Sequence, residues 1–279
     1  MEVVFKEVMY MKDGKKDSGY IFLNSLNYKF LRGNIYAFLG DASDLVGRLL
    51  VMDKRPSKGT VVMDGNTISK TTKIDNLEEI RKNFRYIDFN NKFSFIKNTF
   101  EEEVKFLLKG TSRLDKVDFL IEKSLIMVGL DIQFKDRELF TLSNSETKKI
   151  LLAVNLCLNP KVMVLKDFDK GLTYKDKEHF KRLLRKIKDK YNKLIVIISD
   201  DVNFLYNFVD KVLVFDEGII IYDESKELLL DNKLYEFADV PKTIEFINHV
   251  NSKKNKDFEL YLEPKEVLKA VFRDIDNKE

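Results

Sequence analysis

Three observations predict an α/β fold built on a largely parallel sheet covered on both faces. Unbroken apolar runs, "KVMVLKD" (161–167), "KLIVIISD" (193–200) and "KVLVFDEG" (211–218), alternate with helical stretches, as in sheets buried on both sides. The stretch "YAFLGDASDLVGRLLVMD" (36–53) reads as strand, short loop and helix. Between that unit and the strand at 161 lies a mostly helical block, about 98–160, which reads as an inserted subdomain.

In chain order, residues 2–10, 20–30, 34–39 and 59–64 read as strands, being short, β-branched or aromatic, and separated by turn residues. Residues 43–53 and 76–83 read as helices. In "TFEEEVKFLLKG" and "VDFLIEKSLIMVGL" apolar residues recur every three or four positions, the spacing of one helix face. A charged amphipathic helix at 174–190 and a short one at 202–208 separate the later strands, and "IIIYD" adds a last strand. Beyond 231 the chain turns polar and carries two short helices, the second marked by Pro264, since proline suits the first position of a helix.

The chain has 279 residues, 44% hydrophobic and 34% charged, enough to bury a substantial core. Its 49 basic and 46 acidic residues leave a net charge of +3, which gives no basis for nucleic-acid binding. The lone cysteine, Cys157, allows no internal disulfide, and two histidines, His179 and His249, are too few for a zinc cluster. The apolar runs fall far short of the roughly 20 residues of a membrane helix. The first residues alternate like a strand and carry Glu2, Lys6 and Glu7, so no signal peptide is expected. A cytoplasmic protein, or one docked on a membrane partner, is expected.

Strand, loop and helix at 36–53 is where a phosphate-binding loop would lie. That chemistry needs G-x-x-x-x-G-K-[ST]: bare amides to approach phosphate, a lysine to neutralise it and a hydroxyl for magnesium. Only Gly40 fits; Leu45, Val46 and Gly47 occupy the remaining positions.

Three further segments carry a resemblance. "KRPSKGTVVMDG" (54–65) looks like P-x-x-G-x-[IV]-x-[VI]-[DN]-G; "LFTLSNSETKKILLAVNLCLNPKVMVLKDFDKGL" (139–172) looks like a signature, its helix and a second Walker strand; "IVIISDDVNFLYNFVDKVLVFDEGIIIYD" (195–223) looks like a switch strand and closing hairpin. In this order and spacing they resemble the ATP-binding cassette of ABC transporters. "TFEEEVKF" (99–106) and the tail at 228–250 are similar to the energy-coupling-factor ATPases, paired subunits of importers that work beneath a transmembrane coupling subunit. The resemblance implies a P-loop NTPase-type cassette over 1–230, with a mixed sheet core, an antiparallel β subdomain and the helical subdomain at about 98–160. A small C-terminal helical extension follows at 231–279.

The resemblance also says where chemistry would lie, and there this sequence departs. Val46 replaces the phosphate-loop lysine and Gly47 its hydroxyl; Lys166 and Asp167 replace the metal-positioning Asp and the catalytic Glu; Asp200 replaces the switch histidine. About Phe89 falls where the Q-loop glutamine belongs, and the chain's only glutamine is Gln133. The stacking aromatic would be Tyr10, though Lys12 aligns better, and Thr173 stands for the D-loop Asp. LSGGQ has become "LSNSE", keeping Ser143, while Ser143 and Glu146 also form a capping-box pattern. Gly40 and Ser143 are thus the nucleotide-facing candidates left.

These residues imply a pseudo-ATPase subunit, with no cofactor expected, paired with a competent second ATPase subunit at the cytoplasmic face of the membrane. Phe95 matches an aromatic position near where the family's coupling helices dock; Phe93, Phe95 and Phe100 are expected to line that groove, or one or two of them to serve the core. Asp44 is expected as a helix N-cap. Lys166 is expected to pair with Asp167, or to join Asp44, Asp167 and Asp200 in one internal cluster. Asp200 and Asp201 are expected to cap the helix at 202. The rival readings are a slow ATPase using ATP and Mg²⁺, with Asp167 polarising water, and a stand-alone regulatory protein.

Overall fold

A computed structural model describes residues 2–12, 20–73, 80, 82–90, 95–254 and 258–276. Strands β1 (Glu2–Lys12), β2 (Tyr20–Leu31), β4 (Lys58–Met63) and β5 (Asn66–Ile68) form an antiparallel sheet in the order β2-β1-β4-β5. The second sheet holds β3 (Ile35–Gly40), β6 (Phe84–Asp88), β7 (Val162–Lys166), β8 (Leu194–Ile198), β9 (Lys211–Asp216) and β10 (Ile219–Ser225). Its order is β10-β9-β3-β8-β7-β6, parallel except for β10.

Side chains of these central strands point alternately to opposite faces. Ile35, Ala37, Leu39, Met163, Leu165, Ile195 and Ile197 enter one apolar cluster; Tyr36, Phe38, Val162, Val164, Leu194 and Val196 enter another. Both faces are covered, which is why the strands read as continuous apolar runs.

Helix α1 (Ser43–Leu50) lies in the second cluster, with Val46, Leu49 and Leu50 against Phe38 and the antiparallel sheet's Val3, Phe5 and Phe30. The other face is covered by α2 (Phe100–Leu108), α3 (Val117–Val128), α4 (Asn144–Leu158), α5 (Tyr174–Tyr191) and the short α6 (Val202–Leu205). The tail supplies α7 (Lys242–Lys254) and α8 (Pro264–Asp276), and its Leu234, Ile244 and Leu262 join the same cluster. No helix among the described residues is long and apolar enough to cross a membrane.

Several element ends differ from the sequence expectation. Helix α1 stops at Leu50 rather than 53, because Met52 adopts a left-handed backbone (φ +62°) and the amides of Asp53 and Lys54 return to the Arg48 carbonyl. The helix expected over 202–208 ends at Leu205, with Asn207 left-handed at φ +55°. Strand β6, "FRYID", was not expected; of the helix expected over 76–83, residues 76–79 and 81 lie outside the described residues.

Candidate functional site

The carboxyl ends of β3, β7, β8 and β6 meet at one edge of the parallel sheet, the edge where ligands bind in open α/β sheets. Register fixes this: Phe38 and Lys166 both pair with Ile198, and Asp88 pairs with Lys166. Gly40 closes β3 at φ +86°, and a Cβ there would lie 1.9 Å from the Phe215 carbonyl oxygen. Only Asp41 and Ala42 separate it from α1, which begins at Ser43. The segment that would wrap a phosphate as an open loop is therefore largely helical. The Val46 amide is already bonded to the Ala42 carbonyl at 2.9 Å. Val46 itself is fully buried among apolar side chains.

Asp44 is not a cap. The N-cap residue is Ala42, and Asp44 lies in the first turn with its carboxylate turned toward neighbouring elements. Lys166 Nζ donates to Asp44 Oδ1 at 2.7 Å, the Tyr86 hydroxyl donates to the same oxygen, and Arg48 Nε donates to Oδ2 at 2.8 Å. Arg48 also reaches Asp53 at 2.5 Å and lies 4.3 Å over the Tyr86 ring. Two cations and two carboxylates thus make a neutral cluster. Burial opposes the charge on Asp44, but the bonds from Lys166, Tyr86 and Arg48 outweigh it and hold the carboxyl down to about 2. Burial first, then the bond to Asp44, pushes the Tyr86 hydroxyl far up.

The expected Lys166–Asp167 pair does not form, and Lys166 makes no ion pair with Asp200. Asp167 has a left-handed backbone (φ +53°) that turns its carboxylate elsewhere: it accepts from Asn90 at 2.8 Å and pairs with Lys170 at 2.5 Å. Its carbonyl accepts from Lys148 Nζ at 2.8 Å, and that ammonium is buried. Burial lowers the Lys148 pKa, opposed by the charges of Asp169 and Asp167. Asp200 is exposed and makes no cap; Asp201 alone caps α6, accepting from the Phe204 amide at 3.0 Å.

Ser143 is the N-cap of α4. Its hydroxyl accepts from the Glu146 amide at 3.3 Å while Glu146 accepts from the Ser143 amide at 2.8 Å, a complete capping box. Thr173 caps α5: its hydroxyl accepts from the Asp176 amide at 3.2 Å and donates to the Asp176 carboxylate at 2.8 Å. Phe95 and Phe100 are buried in the main apolar cluster, whereas their neighbours Ile96 and Phe106 are exposed by 65% and 43%. Phe93 lies outside the described residues.

Sequence reasoning missed Tyr86, Arg48, Asn90 and Lys170. Arg48, four residues after Asp44 on a helix, was a readable signal. Tyr86 and Asn90 were not, because their roles depend on β6 lying beside β7.

This donor set does not fit a nucleoside triphosphate with its magnesium. Lys166 presents an ammonium where the metal would need an acid, and Asp44 presents a carboxylate beside the phosphate position. Gly47 offers no hydroxyl, and a Cβ there would approach Ile198 Cδ1 and Val164 Cγ1 at 3.0 Å.

The fold nonetheless has known relatives. The chain is 28% identical over 239 residues to the energy-coupling factor transporter ATP-binding protein EcfA2 of Staphylococcus aureus strain USA300, covering 84% of this chain and 83% of the relative. Its structure is similar to that of cbiO1 from Clostridium perfringens, part of the ABC transporter complex cbiONQ: the TM-score is 0.70 at 20% identity, over 90% of this chain and 94% of that one. A dimeric ATP-binding cassette in a post-hydrolysis state, bound to ADP and Pi, matches with a TM-score of 0.70 at 19% identity, over 80% of this chain and 98% of the other. The sequence profile described as ABC transporter matches residues 23–167, more than half of the chain. From the two-sheet fold and that match together, the chain belongs to the ABC transporter family, as one of its ATP-binding domains.

Proposed function

We propose that this chain is a nucleotide-silent, pseudo-ATPase subunit of an energy-coupling-factor-type importer, paired with a competent ATPase subunit and docked on a transmembrane coupling subunit. The importer assignment rests on the likeness to EcfA2. Loss of nucleotide chemistry rests chiefly on one observation: Lys166, Arg48 and Tyr86 all bond the Asp44 carboxylate where phosphate and metal would otherwise meet. Asp167, which a slow hydrolase would use to polarise water, is tied to Lys170 and Asn90.

In a head-to-tail pair, each ATP lies between one subunit's Walker loop and the other's signature. The site built on this chain's Walker elements would be void. The other would use the partner's Walker loop together with Ser143 and the N-terminus of α4, whose dipole favours an anion. Glu146, in the capping box, weakens that attraction. With Phe95 buried, contact with the coupling subunit would fall to the exposed Ile96 and Phe106.

Calorimetric titration of the purified chain with ATP, with and without Mg²⁺, tests this reading. No binding at millimolar nucleotide is expected; micromolar binding would overturn it and put the slow-ATPase reading first.

A further inference from the structure

At the opposite end of β7 from Lys166, α3, the end of α4 and the last turns of α5 enclose a cavity of about 220 Å³. Its charged lining is Arg113, Lys123 and Lys193, and no carboxylate lines it among the described residues. None of the three has an acidic partner there. Arg113 Nε donates to the Cys157 carbonyl at 3.0 Å, Lys193 Nζ donates to the Pro160 carbonyl, and the Lys123 ammonium lies over the Phe119 ring.

Lys193 is the unusual member. It is only 4% exposed; the Pro160 carbonyl takes one of its three protons and the Tyr191 ring lies 5.9 Å from the ammonium. Burial first, then the charges of Arg32 and Arg113, draw its pKa down to about 8. A buried cation surrounded by further cations is unfavourable until an anion joins it. The remaining wall sets apolar Leu120, Met127, Leu156, Met163 and Ile187 beside polar Ser124, Asn155, Asn159 and Tyr191, so the cavity combines cations with apolar surface and neutral polar groups. That combination is usual for sites that hold small organic ligands.

The geometry points to a binding site for a fragment-sized organic anion, its carboxylate or phosphate held by Lys193 and Arg113 and its apolar body packed between α3 and β7. Such a ligand would bridge the inserted helices and the sheet. The site shares no residue with the cluster around Asp44, so it stands or falls separately from the proposed function.

The full chain is titrated calorimetrically with benzoate and with phenyl phosphate, using benzamide as the neutral isostere of benzoate. Saturable binding of at least one anion and none of benzamide is expected, with affinity falling at least about tenfold in Lys193→Met. The tighter of the two probes assigns the anionic group. Should Lys193→Met fail to fold, Arg113→Gln carries the same expected loss, and the benzoate–benzamide comparison needs no variant. No saturable binding of either anion, equal binding of benzamide, or affinity unchanged in the folded variant overturns the proposal.

Discussion

The carboxylate of Asp44 accepts hydrogen bonds from three side chains, one of them 122 residues away in the sequence. Because its pKa is depressed from 3.8 to about 2, its contribution to stability is complete above pH 3.8 and is lost as pH falls through 2. Asp44→Asn is therefore expected to flatten the dependence of unfolding free energy on pH in that window, measured by urea unfolding. The effect is modest and salt-sensitive, since the side chain is 37% exposed. A second expectation concerns Val46. Replacing it with lysine would restore the residue type of a phosphate loop, yet this position is fully buried in an apolar cluster. Val46→Lys is expected to cost about 3 kcal/mol or more of stability in denaturant unfolding, without creating ATP binding.

At the level of elements, Gly40 and the capping box of α4 give the sharpest expectations. Gly40→Ala would drive a methyl into the Phe215 carbonyl at a left-handed position, and a loss of about 3 kcal/mol or more is expected. Ser143→Ala would remove the cap of α4 and is expected to cost about 1 kcal/mol. Elements were readable from sequence where local chemistry decides them. The apolar strands β7, β8 and β9, the Ser143–Glu146 box and Pro264 at the start of α8 all carry their own signals. Strand β6 was not readable: Arg85 and Asp88 break its apolar run, and the Arg85 Nε bond to Asn155 at 3.1 Å exists only once α4 is packed. The site was legible in what it lacks, since a missing lysine, histidine and glutamine can be counted. Its new wiring was not. Asp44 resembles a cap by position, and Lys166 lies next to Asp167 in sequence, but the left-handed turn at Asp167 separates their side chains.

For the whole molecule, the proposed pairing makes an asymmetric expectation. In a reconstituted transporter, removing the Walker lysine of the competent partner should abolish ATP hydrolysis. Lys166→Ala in this chain should leave the turnover rate within about twofold of the unmodified complex, less than 0.5 kcal/mol on the barrier. Equal losses from both changes would sink the pseudo-ATPase reading. The neutral cluster has a consequence of another kind. A protein stabilised by a dissociable ligand gains RT ln(1 + [L]/Kd), so its melting point rises and falls with supply. Here the anion and cations that fill the edge of the sheet are tethered to the backbone and cannot leave by dilution. On the proposed reading this face would have the same occupant in a starved cell as in a fed one, and would hold its shape without registering the energy charge around it.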